Sequence, residues 1–221
     1  MDALELMKSR HSVRTYNSMK ISEEHVRQLQ DLITECNQKG DLHIQLLLDD
    51  PTAFSGIIPK FGRFSNVHNY LALVGKSSPS LQEKAGYYGE MIVLKAQELK
   101  LGTCWVAGTY NKKKCRAAIE SDEELVCVIS IGHSDHSGVP HKTKSITDLC
   151  QTPGEMPDWF RLGMEAVQLA PTAMNQQKFS FSLFGNSVRA EAGKGFYTNI
   201  DLGIAKYHFE LGAGKENFRW S

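Results

Sequence analysis

Apolar residues recur at helical spacing in several parts of the chain. Val26, Leu29 and Ile33 lie three or four positions apart, and Ser22 before them is a helix-capping residue type followed by two acidic residues. This pattern predicts a helix that begins at Ser22 and ends near residues 37–40. The same spacing predicts further helices over residues 2–10, 83–100, 158–169 and about 200–210.

Other apolar positions predict strands. Residues 125–132, LVCVISIG, form an unbroken apolar run rich in β-branched side chains, which is typical of a strand buried on both faces. Within residues 178–185, every second residue from Phe179 to Leu183 is apolar, which predicts a strand with one buried face. Shorter runs predict strands over 43–48 and 69–75, joined by the long loop 49–68.

The predicted elements repeat weakly along the chain. TECNQK (34–39) and TAMNQQ (172–177) each end a helix and precede a strand. Residues 84–102 also resemble residues 193–212 in the placing of their glycines and aromatic residues. The order of helix, strand and glycine-led helix is therefore expected twice.

Two prolines and a glycine between residues 153 and 157 mark one plausible internal boundary. We therefore divide the chain into an N-terminal half (1–150) and a C-terminal half-copy (151–221), which we expect to pack into one cooperative unit. Mixed helices and strands predict the α+β class, with a mixed sheet flanked by helices.

The composition excludes several functional classes. The chain has 221 residues, with 25 basic and 25 acidic side chains, so it has no general field to attract polyanions, and we expect neither nucleic acid nor membrane as a partner. The first residues hold no apolar run long enough for a signal peptide, and the expected location is cytoplasmic. The five scattered cysteines are expected to be reduced thiols. Three histidines of one loop match no metal-ligand spacing, so no metal is expected there: His133, His136 and His141.

The segment from Arg10 to Arg14, RHSVR, places two guanidinium groups and a hydroxyl within five residues at the end of the first predicted helix. Guanidinium groups bind phosphate with paired hydrogen bonds. A solvated charge pair would give the same pattern, and the residues alone leave both interpretations open. Lys142 and Lys144 are a second, weaker candidate for a phosphate contact.

Two further segments have a structural and a functional interpretation. TCWVAG (103–108) predicts a turn after a helix, and its glycine would let a backbone N–H approach a flat ligand closely. Cys104 has no basic neighbour in sequence to activate its thiol, so we expect it to serve packing. The polar residues 175–178 either cap the preceding helix or hydrogen-bond a ring that carries carbonyls and nitrogens.

Together, these segments resemble the FMN-dependent nitroreductase family. MDALELMKSRHSVRTY resembles its opening helix and R-x-S-x-R/K signature, and GYYGEMIVLKAQELKLGTCWVAG its central helix and glycine-rich flavin turn. VISIGHSDHSGVPHKTK resembles its last core strand and basic loop, and APTAMNQQKF its A-P-S-x-x-N-x-Q-P-W segment. The resemblance covers most of the chain outside about 49–68 and 145–158.

The resemblance implies that FMN binds without a covalent link. Arg10, His11 and Ser12 would contact the phosphate and the ribityl chain. Lys142 and Lys144 would complete the phosphate pocket.

It also implies contacts to the flavin ring. Arg14 would lie toward N1 and O2, where a cation stabilises the charge of the reduced ring. The N–H of Gly108, with Ala107, would face N5. Three residues would pack against the isoalloxazine or hydrogen-bond it: Pro171, Thr172 and Asn175.

The activity implied is a ping-pong electron transfer. NAD(P)H would give hydride to N5 and leave, and a nitroaromatic, a quinone or a similar oxidised acceptor would then take the electrons. No side chain is assigned a catalytic role, because the flavin carries the chemistry. Two alternatives stay open: another flavin reaction on the same scaffold, such as dehalogenation or O₂-dependent cleavage, and a flavin-binding module without turnover.

The order of the motifs departs from the family pattern. In the family, the A-P-S-x-x-N segment follows the second helix and reaches the flavin of the other subunit. Here that place holds ITECNQKG, which lacks the proline, and the fuller version lies at residues 170–177. We therefore hypothesise two degenerate half-copies that form an intrachain pseudo-dimer around one FMN, with a monomeric pseudo-dimer and a homodimer both left open.

Overall fold

A computed structural model describes residues 2–56 and 62–221, so residues 57–61 of the predicted loop 49–68 lie outside the described part. The helices are α1 (Ala3–Ser9), α2 (Glu23–Gly40), α3 (Leu81–Glu98), α4 (Ile146–Leu149), α5 (Asp158–Val167) and α6 (Thr198–Ala213). The strands are β1 (Gln45–Leu47), β2 (Asn69–Lys76), β3 (Gly102–Val106), β4 (Glu123–Gly132), β5 (Cys150–Gln151), β6 (Phe179–Phe184), β7 (Ser187–Ala192) and β8 (Arg219–Trp220). The α+β prediction is confirmed.

The helix predicted after Ser22 is present as α2. The Ser22 hydroxyl accepts a hydrogen bond from the backbone N–H of His25 at 3.2 Å, which satisfies one of the free donors of the first turn. Leu29, Ile33 and Cys36 form its buried face. The predicted periodicity therefore corresponds to the face that packs on the core.

The first half of the chain builds an antiparallel sheet with the strand order β1-β2-β4-β3. The predicted strand at 125–132 is β4, which lies between β2 and β3 and is buried over most of its length. The backbone N–H of Val13 donates to the Thr103 carbonyl oxygen at 2.9 Å, so the RHSVR segment runs along the free edge of β3. Tyr16 holds the end of this segment, because its hydroxyl donates to Val13 O at 2.7 Å and bonds Ser130 at 2.7 Å.

The turn predicted at residues 103–108 needs a correction. Residues 103–106 belong to β3, where Gly102 pairs with Gly132 and Trp105 pairs with Ile129. Only Ala107 and Gly108 lie beyond the strand, in a bend. Cys104 is buried, which raises the pKa of its thiol, and it serves packing as expected.

A second sheet has the strand order β5-β6-β7-β8 and belongs to the second half except for Cys150, the first residue of β5. The β6–β7 pair is antiparallel, whereas β5 and β8 add to its edges in parallel. Only β6 was predicted from the sequence. The order helix, strand, strand, helix thus occurs twice, as α2-β1-β2-α3 and as α5-β6-β7-α6. The glycine–aromatic match does not extend to the structure, because residues 86–88 lie inside α3 and residues 195–197 precede α6.

Both halves share one hydrophobic core. A single buried cluster contains Leu29 and Leu71 from the first half together with Phe181 and Phe209 from the second. No helix among residues 2–56 and 62–221 has both the length and the apolar character needed to cross a membrane.

The helices α3 and α6 cross closely at the centre of this core. A Cβ atom at Gly86 would collide with the Ile200 carbonyl oxygen, and one at Gly203 would collide with the Glu83 carbonyl oxygen. Glycine at both positions therefore lets the two helix backbones touch. This contact sets the relative position of the two halves.

Candidate functional site

A cavity of about 490 Å³ lies where the two halves meet. Six of the eleven predicted site residues line it: Ser12, Arg14, Ala107, Gly108, Pro171 and Thr172. Its volume falls within the range of about 300–1,000 Å³ common for small-molecule and cofactor sites. Segments more than sixty residues apart in sequence therefore line one cavity, and their contacts with FMN stay predictions.

The first half supplies one wall of the cavity from the end of β3. Ala107 and Gly108 follow this strand directly, and Ser12 bridges to Thr103 within it. Among the residues that the structure describes, a Cβ atom built on Gly108 would meet only the Tyr197 hydroxyl, 3.6 Å away, so these residues leave room for a ligand at the Gly108 backbone. The exposed Arg14 places a positive charge at the same cavity.

The second half supplies the other wall from residues 171–177. Three residues of this segment have left-handed backbone conformations, with φ of 51° at Met174, 53° at Asn175 and 45° at Gln177. Such conformations cost about 1–3 kcal/mol per residue outside glycine and are found preferentially at functional sites. The Thr172 hydroxyl accepts from the Gln177 N–H at 3.1 Å, which helps to hold the strained segment.

Asp201, in the first turn of α6, holds this segment in place through two hydrogen bonds. Its carboxylate accepts from the Ala173 N–H at 2.9 Å and from the Gln176 side-chain amide at 2.8 Å. It also lines the cavity and is 2% exposed. Burial raises the pKa of Asp201 to about 6, even though these two donors favour the ionised form.

Apolar side chains surround the opening of the cavity. Met174 and Phe196 both line the cavity, yet they are 81% and 75% exposed. Tyr197 lies beside them with a φ of 62°, another left-handed conformation in a non-glycine residue. Exposed apolar side chains grouped at a cavity are typical of a binding surface.

Arg10 and His11 lie outside this cavity, in a basic cluster at the end of α1. Arg10 is 3% exposed, and its Nε atom has no hydrogen-bond partner in the described part of the chain. Burial and the charge of Arg10 lower the pKa of both His11 and His141. The loop that carries His141 rests on the His11–Ser12 backbone at Gly138, where φ is 77° and a Cβ atom would meet His11.

Lys142, Lys144 and Asn175 also lie outside the lining of the cavity, but the structure brings them together. The Asn175 side-chain amide donates to Lys142 O at 2.8 Å. The Lys144 ammonium donates to Gln177 O at 3.0 Å, so it already holds the strained segment. The phosphate contacts predicted for the two lysines stay predictions.

Four residues near the site were missed in the sequence. His141 was weighed only as a metal ligand, and Asp201 was placed inside a helix without a role. Phe196 and Tyr197 belong to GKGFY, whose glycine–aromatic pattern was noted only as part of a repeat. That pattern was the available signal, because adjacent aromatic residues after two glycines indicate an exposed loop with binding potential.

The fold has clear structural relatives. A "putative nitroreductase" from Thermotoga maritima aligns over 96% of this chain and 83% of its own, with a TM-score of 0.70 and 22% identity. A second "putative nitroreductase", from Desulfovibrio desulfuricans and solved in complex with FMN, aligns over 69% of this chain and 98% of its own, with a TM-score of 0.55 and 16% identity. A protein from Bacteroides thetaiotaomicron described as a "Putative NADH dehydrogenase/NAD(P)H nitroreductase" aligns over 66% of this chain and 95% of its own, with a TM-score of 0.53 and 18% identity.

These similarities define the molecule as a protein with the nitroreductase fold. The family model described as "Putative TM nitroreductase" matches residues 2–213, and the chain belongs to this family. A comparison with curated proteins gives no match.

Proposed function

We propose that the protein is an FMN-dependent oxidoreductase that passes electrons from NAD(P)H to a small oxidised acceptor such as a nitroaromatic or a quinone. The observation that carries this proposal is the cavity between the halves. It unites Arg14 and Gly108, from two motifs of the first half, with Pro171 and Thr172 from the second. Membership of the nitroreductase family and the FMN complex of the Desulfovibrio desulfuricans relative support the same cofactor.

The residues present fit FMN. The cavity has the size of a cofactor site, and the open approach to Gly108 suits a flat ring lying against backbone. When bound, FMN supplies the two-electron redox chemistry. Arg14 would stabilise negative charge on the ring, and the Gly108 N–H would donate a hydrogen bond to its edge.

The remaining predicted residues would hold the phosphate end and the second face. Arg10 suits a phosphate, because its guanidinium is buried and its Nε atom lacks a hydrogen-bond partner among the described residues, and His11 and Ser12 follow it in the chain. Pro171 and Thr172 would pack on the ring. Met174 and Phe196, apolar and exposed at the opening, would contact a flat acceptor.

We further propose that one chain completes one flavin site as a monomeric pseudo-dimer. The repeated order α2-β1-β2-α3 and α5-β6-β7-α6 supports two related halves. The two smaller relatives use nearly all of their own length to match about two thirds of this chain, which is consistent with an added part that replaces a second subunit. The contact between Gly86 and Gly203 would then be the internal counterpart of a subunit interface.

A flavin spectrum tests the proposed function. The purified chain is incubated with FMN, freed of unbound ligand by gel filtration, and scanned in the visible flavin bands before and after anaerobic addition of NADH or NADPH. We expect a yellow protein that either nucleotide bleaches and that a nitroaromatic or quinone re-oxidises. A colourless protein would overturn the proposal.

The same sample separates the alternative functions. A yellow protein that no reduced nicotinamide bleaches would be a flavin-binding module without turnover. If the reduced protein reacts with O₂ or a halogenated substrate in stopped flow but not with nitroaromatics or quinones, the chemistry is one of the other flavin reactions.

A further inference from the structure

Glu90, in the middle of α3, is a fully buried carboxylate surrounded by three side chains. His208 Nε2, from α6, lies 3.0 Å from its Oε1 atom, and Trp105 Nε1 donates to its Oε2 atom at 2.9 Å. Arg10 Nε lies 3.8 Å from the same Oε1 atom. Glu90 and His208 are 0% exposed. Of these four side chains, only Trp105 lines the cavity.

Two hydrogen bonds hold the ring of His208 in place. Its Nδ1 atom lies 3.0 Å from Ala166 O, which can only accept, so Nδ1 carries a proton. Its Nε2 atom faces the Glu90 carboxyl group, so His208 and Glu90 share one buried hydrogen bond between α6 and α3. Glu90 thus connects Arg10, at the end of α1, to His208 on α6.

At the Arg10 end of this cluster, one buried donor has no hydrogen-bond partner among the residues that the structure describes. This donor is the Nε atom of the nearly buried Arg10, and it is completely enclosed. Glu90, at 3.8 Å, is too far away for a hydrogen bond, and a buried guanidinium with an unsatisfied donor is unfavourable, so a further acceptor such as an anion suits Arg10. Burial and the charge of the nearby Arg10 lower the pKa values of His11 and His141, so Arg10 rather than either imidazole carries the positive charge at this end of the cluster.

We propose that Glu90 and His208 are positioning residues for the FMN phosphate, which act through Arg10. Glu90 fixes the direction of the Arg10 guanidinium, and His208 and Trp105 fix Glu90 between the two halves. The proposal rests on the proposed function, because it takes FMN as the ligand. It links the contact between α3 and α6 to recognition of the phosphate group.

The direction in which Glu90→Gln changes phosphate binding distinguishes a positioning role from a purely electrostatic one. Glu90→Gln removes a negative charge beside a site for an anion, and by charge alone it would tighten phosphate binding. If Glu90 positions Arg10, the same substitution loosens the guanidinium and weakens phosphate binding. Riboflavin, which has the same ring without the phosphate, reports any change that is not specific to the phosphate.

The test is a fluorescence-quenching titration of the full-length chain, freed of bound flavin, with FMN and with riboflavin. For Glu90→Gln we expect the preference for FMN over riboflavin to fall by about tenfold or more, the amount that corresponds to a charge-assisted hydrogen bond, with the riboflavin Kd nearly unchanged. Glu210→Gln is the matched control, because Glu210 is buried on α6 and bonds Tyr87 and Trp220 away from Arg10. The control should leave the preference unchanged.

The Arg10→Ala background tests whether Glu90 acts through Arg10. There, adding Glu90→Gln should leave the preference within about twofold of that of Arg10→Ala alone, because a residue that acts only through Arg10 has no separate effect. If Glu90→Gln does not fold, His208→Gln replaces it, since it keeps Glu90 and removes one of its supports, and we expect a loss of preference in the same direction.

Three results would overturn the positioning role. They are equal losses of FMN and riboflavin affinity, a preference for FMN that is unchanged or increased, and a further loss in the Arg10→Ala background. If the unmodified chain binds riboflavin and FMN equally well, the phosphate site itself is wrong, while binding of neither ligand contradicts the proposed function.

Discussion

Asp201 is a buried carboxyl group whose protonation affects folding. Burial raises its pKa to about 6, from 3.8 for the free group. The folded chain therefore binds this proton more tightly than the unfolded chain does. The stabilisation is fully present below pH 3.8 and is lost as the pH rises through about 6.

Replacing Asp201 with asparagine should remove this pH dependence. Between pH 4 and pH 7 the unmodified chain should lose up to about 3 kcal/mol of unfolding free energy relative to Asp201→Asn, as expected for a shift of about two pKa units. Urea unfolding of both proteins at several pH values measures the difference. The contributions of the other carboxyl groups to the unfolding free energy cancel, because both proteins share those groups. Parallel curves would contradict the buried, protonatable state of Asp201.

Arg14 is the cation that lines the cavity, and it should affect electron transfer more than cofactor retention. Arg14→Ala should slow flavin reduction by NAD(P)H by about tenfold or more, because a positioned cation near developing charge contributes on the order of 2 kcal/mol. The FMN Kd should change much less. Stopped-flow reduction and FMN titration measure the two quantities.

Arg27→Ala is the charge-matched control for Arg14→Ala. Arg27 is an exposed arginine on α2 that pairs with Glu24, so its loss removes the same charge away from the cavity. The control should leave both quantities unchanged, and a parallel loss of reduction rate and FMN affinity in Arg14→Ala would refute the tuning role.

At the residue scale, the sequence predicted the site residues that belong to short motifs. It did not predict the buried residues behind them. Arg14, Gly108 and Pro171 occur in recognisable short motifs and do line the cavity. Glu90 and His208 lie within helical patterns, and nothing in the spacing of one helix indicates its partner on another. Their pairing depends on how α3 meets α6, which is a tertiary property.

At the scale of elements, the close crossing of α3 and α6 should make the stability of the protein depend on glycine at position 203. Gly203→Ala would improve helix propensity by about 1 kcal/mol in an isolated helix. Here the added methyl group meets the Glu83 backbone, so we expect a net loss of about 1–3 kcal/mol of unfolding free energy. Thermal or urea unfolding measures it.

Asn199→Ala on the same helix is the control for this prediction. Asn199 is exposed, so its replacement should stay within about 0.5 kcal/mol of the unmodified chain. A Gly203→Ala variant as stable as the control would mean that the helices have room to separate, against the close crossing seen here.

The strands that the sequence predicted well are those whose pattern of apolar residues matches their burial. The apolar run of β4 and the alternation of β6 correspond to their observed burial. By contrast, β7 buries little besides Val188 and is defined by its pairing with β6, so its sequence carries a weak signal. In β3, pairing with β4 overrides the two flanking glycines that suggested a turn.

At the scale of the whole molecule, the two halves are interdependent. They share one buried cluster, and the cavity has walls from both. The division at the prolines near residue 153 into two half-copies that fold as one cooperative unit stays a prediction, and the shared cluster and cavity are consistent with it. Each half alone would expose apolar surface that the other covers.

The most direct test of the central claim, that one chain builds one flavin site from its two halves, is a joint measurement of molecular mass and bound flavin. Light scattering during size-exclusion chromatography of the FMN-loaded protein, with absorbance in the flavin band, gives both values in one run. We predict a 24.7 kDa species that carries one FMN per chain. A stable dimer with two FMN, whose binding is lost when the dimer dissociates, would contradict the account.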